Sequence, residues 1–187
     1  MAIFSGPNII PAMPNSYQDL PAASEFNPYY GKYIALVPPG DIFSQLERQA
    51  HETAKLLAGT SAAKAEHRYA PGKWSIKEVV GHLADAERIF TYRALRFARG
   101  DANPLHSFDE NAYVPAGEFG ERPLPEIAEE LRAVRNATLA LFRGLPEQSM
   151  TRTGVASDAL VSVRALAWIT AGHELHHVKL LRERYLA

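Results

Sequence analysis

The stretch AWITAGHELHHVKLLRERY, residues 167–185, decides how this chain is read. Leu166, Thr170, His173, His177, Leu180 and Arg184 follow one another at spacings of 4, 3, 4, 3 and 4. That is the seam of a helix facing the core of a bundle. Two histidines therefore take consecutive core positions where leucine is the ordinary occupant. Side chains at i and i+4 lie one above the other on a helix, so two imidazoles placed this way can reach one ion at ~2.0–2.1 Å each. Without an ion, two buried rings need hydrogen-bond partners, because an unpaired buried polar group is costly. His176 lies off the seam and is expected to be exposed.

Two histidines make a weak site, and a third ligand is sought elsewhere. The stretch GKWSIKEVVGHLADAERIFTYRALRFARGD, residues 72–101, opens a second helix: Ser75 and Glu78 match a capping box, and Trp74 can staple onto Val79. Its row Val79, His82, Ala86, Ile89 and Arg93 is spaced 3, 4, 3 and 4, which puts His82 on an inward stripe with the small Ala86 beside it. His67 and His106 fall in loops, and His51 flanks the seam of its own helix. The candidate ligands of one divalent metal ion are His82, His173 and His177. At each position a hydrogen-bonded core histidine is the competing reading, and the i, i+4 pair weakens it.

HELHH also matches the H-E-x-x-H pattern of zinc proteases, with Glu174 as general base. Ten residues follow His177 in this sequence, and Leu180 and Arg184 stand where the extended motif needs Gly and His. The alternative role for Glu174 is a helix-surface acid paired with Lys179 or a loop residue.

Four helices are expected in all. The first runs from Asp41, an N-cap, to Ala58, with Phe43, Leu46, Ala50, Thr53 and Leu57 as its seam. The second runs from Ser75 to Arg99. The third, from Pro125 to Gly144, carries Ile127, Leu131, Val134, Thr138 and Leu141 on one face. The fourth runs from Leu160 to Tyr185. The connections Gly59–Trp74, Gly100–Leu124 and Gly144–Ala159 exceed the ~2–8 residues usual in simple bundles. The expected fold is thus an all-α four-helix bundle with long connecting loops, residues 39–187, its helix order left open. Residues 1–38, interrupted by Pro7, Pro11, Pro14, Pro21, Pro28 and Pro38, are expected to form an extended, non-helical arm anchored by Phe26, Tyr29, Tyr30 and Tyr33. The loop 100–124 offers Asp109, Glu110 and Tyr113 as substrate contacts or acid/base groups. It can equally be a capping loop packed by Phe108, Tyr113 and Phe119.

Composition narrows the function. The 187 residues are 47% hydrophobic and 22% charged, with a formal net charge of -1. That balance suits one globular domain and gives no overall attraction to nucleic acid or anionic membrane. The clusters Arg93/Arg96/Arg99 and Arg182/Arg184 fall on helices and read as solvated faces. The absence of cysteine excludes disulfides, thiolate ligands and a cysteine nucleophile, leaving nitrogen and oxygen donors for any metal. The first residues lack a basic segment, and no apolar run reaches the ~18 residues of a membrane span. A cytoplasmic protein is expected.

The text of residues 72–101 together with HELHHVKLL, residues 173–181, resembles the DinB-like (DinB/YfiT-like) family of damage-inducible metalloenzymes, from about Asp41 onward. The resemblance implies a four-helix bundle, and a divalent ion, nickel or zinc, on one histidine of the second helix and an H-x-x-x-H pair of the last. Carried over, these are His82, His173 and His177. It also implies a small-molecule substrate, a thiol for the S-transferases of the family, and the possibility of a homodimer.

Three neutral imidazoles leave coordination positions open, as in catalytic rather than structural sites. The expectation is a metal-dependent enzyme acting on a small molecule, a thiol S-transferase or a hydrolase. The alternative is a non-catalytic bundle in which the ion staples the second helix to the fourth, as a binding or structural protein.

Overall fold

The computed structural model describes residues 17–187; the part of the expected arm before Tyr17 lies outside them. Four long helices form the bundle: α2 (Ile42–Ala58), α4 (Ile76–Ala98), α6 (Leu124–Arg143) and α7 (Val163–Leu180). Short helices lie between or before them: α1 (Gly31–Ile34), α3 (Ala62–Ala65) and α5 (Glu110–Ala116). Among the described residues, no helix is long and apolar enough to cross a membrane.

The starts of three long helices follow from side chains that accept their unpaired first N–H groups. An Asp41 carboxylate oxygen accepts from Ser44 N at 2.9 Å. Ser75 Oγ accepts from Glu78 N at 3.3 Å while Ser75 N donates to Glu78 at 2.6 Å, completing the capping box. Ser162 Oγ accepts from Ala165 N at 2.9 Å.

The helix order is not up-down. The first bundle helix, α2, packs on α6 and α7, and α4 packs on the same two. Going round the bundle the order is α2, α6, α4, α7, so α2 and α4 are diagonal, as are α6 and α7. The connections α2–α4 and α6–α7 must therefore cross the bundle end, which accounts for their length.

Two apolar clusters fill the interior. The larger includes Phe43, Leu46, Phe90, Phe97, Phe142, Leu166 and Trp168. The smaller includes Ile76, Val80, Leu83, Phe119, Ile127, Leu131, Leu181 and Tyr185. Between them, on each of the four helices, buried polar residues interrupt the apolar sequence: Thr53 on α2, His82 and Glu87 on α4, Arg135 on α6, His173 and Glu174 on α7. They form two sets: the histidines of α4 and α7 meet each other, and Thr53, Glu87, Arg135 and Glu174 join in a network of hydrogen bonds and ion pairs.

Several expectations are revised. Residues 153–162 form a hairpin, β1 (Thr153–Ala156) and β2 (Ala159–Ser162), so the fourth helix starts at Val163 and not at Leu160. Ser157 and Asp158 at its tip both have positive φ, 51° and 59°, as a tight two-residue turn requires. The seam of α7 continues by four-residue steps from His177 to Leu181 and, in a π turn over Leu181–Tyr185, to Tyr185, which leaves Arg184 exposed. Arg93 is buried and donates to His106 O and Ser157 Oγ, both at 2.9 Å, pinning the loop and the hairpin to α4; it is no solvated cation.

The arm is partly helical. Asn27 Oδ1 accepts from Tyr29 N at 2.9 Å and Pro28 opens a 3₁₀ turn, Pro28–Tyr30, that runs into α1. Proline at a first helical position costs no hydrogen bond. The segment is fastened by Tyr17 Oη to Leu145 O at 3.2 Å and by Glu25, which accepts from Ser162 Oγ at 2.7 Å and pairs with Arg164. Its backbone lies directly on α7 at Gly172: a Cβ there would collide with the Tyr33 carbonyl and stand 3.1 Å from Ile34 N. Glycine is what allows α1 to seat beside His173. Of the expected anchors, Tyr33 is buried and Phe26 and Tyr30 are half-buried, whereas Tyr29 is exposed.

Candidate metal centre

His82 comes from the second turn of α4, and His173 and His177 from the C-terminal half of α7, where the i, i+4 stacking expected of a seam pair is observed: their ring centroids are 4.6 Å apart. Ring nitrogens of all three lie within 4.8 Å of one another. His82 Nε2 stands 3.2 Å from His173 Nε2. Two nitrogens bound to one ion at ~2.0–2.1 Å in tetrahedral arrangement stand about 3.4 Å apart, so this pair is already at ligand spacing.

Position on α4 is set by neighbours. Gly81 has no Cβ, which lets the Phe119 ring lie flat on the helix beside His82. Trp74, expected to staple onto Val79, packs on the His82 ring at 4.9 Å. On the other side Tyr33 and Phe90 meet the His173 ring edge to face at 5.5 and 5.6 Å.

Burial governs protonation. It lowers the His82 pKa to about 4 and that of His177 to about 3, with the neighbouring rings adding repulsion at His177. His173 is held well below the usual imidazole range by burial first and by His177 and His82 next. All three rings are neutral at neutral pH, the form that coordinates a metal. His177 Nδ1 is buried without a hydrogen-bond partner. An orphaned buried ring nitrogen beside a close nitrogen pair is poorly satisfied by protein groups alone and well satisfied by a divalent ion. These residues fit one, with nitrogen donors suited to zinc, nickel, copper or iron.

The rings form the floor of a pocket of about 170 Å³ whose walls are Tyr29, Tyr30, Tyr33, Trp74, Phe90, Phe108, Glu110 and His176. His176, expected at the surface, is half-buried at this pocket, with its ring 5.2 Å from Tyr33. Burial, then the Tyr29 hydroxyl 3.4 Å away, push the Tyr33 phenol far above its ordinary range, so it stays protonated.

The remaining candidates lie elsewhere. Asp109 caps α5, accepting from Asn111 N at 2.9 Å, and exposed Tyr113 packs on Phe108; neither lines the pocket. Glu110, next to Asp109, does. Glu174 is no surface acid: only 3% exposed, it accepts from Thr53 Oγ1 at 2.6 Å and pairs with Arg135 at 2.8 Å. Arg135 also holds Glu87 through two hydrogen bonds of 2.8 and 2.7 Å and donates to Leu46 O at 2.9 Å. Burial opposes the guanidinium charge, but Glu174 and Glu87 outweigh it and raise the Arg135 pKa. The H-E-x-x-H reading fails on this geometry, because Glu174 turns to α2 and α6 while the histidines of α7 turn to α4.

A family model for the DinB superfamily matches residues 45–181. The chain belongs to the DinB superfamily. Comparison with curated protein sequences gives no significant match. Among solved structures, YfiT from Bacillus subtilis, described as "a probable metal-dependent hydrolase with an unusual four-helix bundle topology", is 18% identical, with a TM-score of 0.67 over 90% of this chain and 97% of that one. The mycothiol-dependent maleylpyruvate isomerase is 12% identical, with a TM-score of 0.62 over 74% of this chain and 59% of that one. Both are likenesses of fold. The DinB match starts at residue 45, so the tyrosines of the arm stand outside the matched region yet wall its pocket.

Proposed function

We propose that this DinB-superfamily chain is a metal-dependent enzyme acting on a small molecule, either transferring a low-molecular-weight thiol or hydrolysing an amide-type bond. His82, His173 and His177 hold the divalent ion, nickel or zinc. The observation that carries the reading is the convergence of three buried, neutral ring nitrogens on the floor of a pocket that a small molecule can enter. A staple between helices needs no such opening.

When bound, a divalent ion supplies Lewis acidity and acidifies a water or thiol placed at its open position. The chain's residues do the rest. The proton that the water or thiol gives up leaves to solvent, and Glu110, the one carboxylate lining the pocket among the described residues, sets the charge that the substrate meets there. Tyr33, held protonated, donates a hydrogen bond to a substrate oxygen. Trp74, Phe90 and Phe108 exclude bulk water and confine the substrate between the aromatic walls.

The experiment is a single-turnover assay of nickel- or zinc-loaded protein with low-molecular-weight thiols and acceptors, and with amide substrates. Turnover that disappears in His173→Ala and returns to the stripped wild type on reloading is the expected result. A stripped protein that unfolds, with no turnover when loaded, would replace the enzyme with the stapled bundle.

A further inference from the structure

The chemistry of the pocket's outer part points to a substrate class. Tyr29 and Tyr30 meet at 82°, Tyr29 and Tyr33 at 76°, and Tyr30 and Phe90 at 89°, with ring centroids 5.3 to 6.3 Å apart. Aromatic rings set at right angles present several ring faces to one enclosed space, and ring faces carry negative potential. Glu110 faces the same space and makes no ion pair among the described residues. Among the described residues no lysine or arginine lines the pocket. Lys32, outside the lining, holds its ammonium 4.0 Å from the Tyr29 ring centroid and 4.9 Å from that of Tyr33.

We propose that the arm's tyrosines, with Phe90, Phe108 and Glu110, form a cage for an alkylated ammonium group on the substrate. This deepens the proposed function and rests on it for the opposite end of the molecule. There, an anionic donor such as a thiolate or carboxylate faces the histidines, where it offsets the charge of the ion. The substrate class is therefore a short zwitterion, cationic at the pocket mouth and anionic at its floor. In the bound complex the unpaired Glu110 carboxylate faces the ammonium. The caging tyrosines precede residue 45, where the family match begins, so the arm supplies one part of this specificity and Phe90, Phe108 and Glu110 of the matched region supply the other.

The test is equilibrium binding of choline and of its uncharged isostere, 3,3-dimethyl-1-butanol, followed by calorimetry and Trp74 fluorescence in metal-free and zinc-loaded protein. Choline should bind roughly tenfold more tightly than the neutral isostere. Glu110→Gln and Tyr29→Leu should each remove most of that preference, with melting temperatures close to wild type, since both side chains are at least partly exposed. Equal or tighter binding of the isostere, or no choline binding up to about 10 mM, overturns the cage. Choline preference in a protein that retains no metal would keep the cage and remove the metal reading; metal retention without choline preference would do the reverse.

Discussion

Substituting Gly172 by alanine tests how the arm is tied to the metal centre. The added Cβ overlaps the Tyr33 carbonyl and sits 3.1 Å from Ile34 N, where ordinary contact begins near 3.4 Å. Neither neighbour is a flexible side-chain tip; both are backbone of α1. To relieve the overlap α1 must lift from α7 by roughly an ångström, a change of the kind that costs about 1–3 kcal/mol when a packed interior is overfilled. For a chain of this size that is a fall in melting temperature of roughly 4–8 °C at a cost near 2 kcal/mol. The lift also carries Tyr33 away from His173, 5.5 Å from it in the native packing. Hydrogen exchange should therefore show faster opening of residues 28–36 in Gly172→Ala, while the amides of α4 and α6 keep their protection. Gly59→Ala is the control: its φ is ordinary and the nearest atoms to a new Cβ are 3.6 and 3.7 Å away, so it should melt within about a degree of wild type. A Gly172→Ala protein with unchanged melting and unchanged protection over α1 would show that the arm is not seated on α7 as described.

Three other outcomes are expected. Arg135→Met leaves Glu87 and Glu174 buried without their cation and should lower stability by about 3–5 kcal/mol in urea unfolding; a loss below about 1 kcal/mol would mean the network is open to water. The metal-free protein should lose stability as pH falls from about 6.5, because the unfolded imidazoles take protons that the folded ones refuse until about pH 4 at His82 and about pH 3 at His177. Each of these rings contributes a slope of about 1.4 kcal/mol per pH unit in that window, so His82→Gln should show a shallower acid limb, and an identical limb would contradict the buried neutral ring. His173→Ala should weaken metal binding far more than His176→Ala, as judged by competition with a chromophoric chelator; equal losses would place His176 among the ligands.

The legible part of this protein was the part governed by periodicity. Capping residues Asp41 and Ser75 and the stripes of the long helices marked the bundle, and seam spacing alone brought His82, His173 and His177 to one inward position. What was not legible depends on contacts between distant segments. The third helix buries Arg135, Leu139 and Phe142, one step round from part of the apolar row read for it, because a guanidinium with two carboxylate partners can occupy a core position that hydropathy assigns to an apolar residue. Glu174 looked like a surface acid for the same reason. The hairpin over 153–162 falls mostly in the expected connection Gly144–Ala159 and only at its end in the expected fourth helix, although VASDALVS holds β-branched residues on both sides of a two-residue turn. Glu110 and the arm tyrosines reach the pocket only through α5 and through the fit at Gly172, and no local pattern encodes either.

The central claim is that three imidazoles from α4 and α7 share one ion. Elemental analysis of protein equilibrated with zinc and freed of loosely held metal tests it most directly, comparing wild type with His82→Ala. The account predicts close to one equivalent in wild type and almost none in the variant, with both proteins folded by circular dichroism. Equal metal content in the two, or a folded wild type that keeps none, would contradict it.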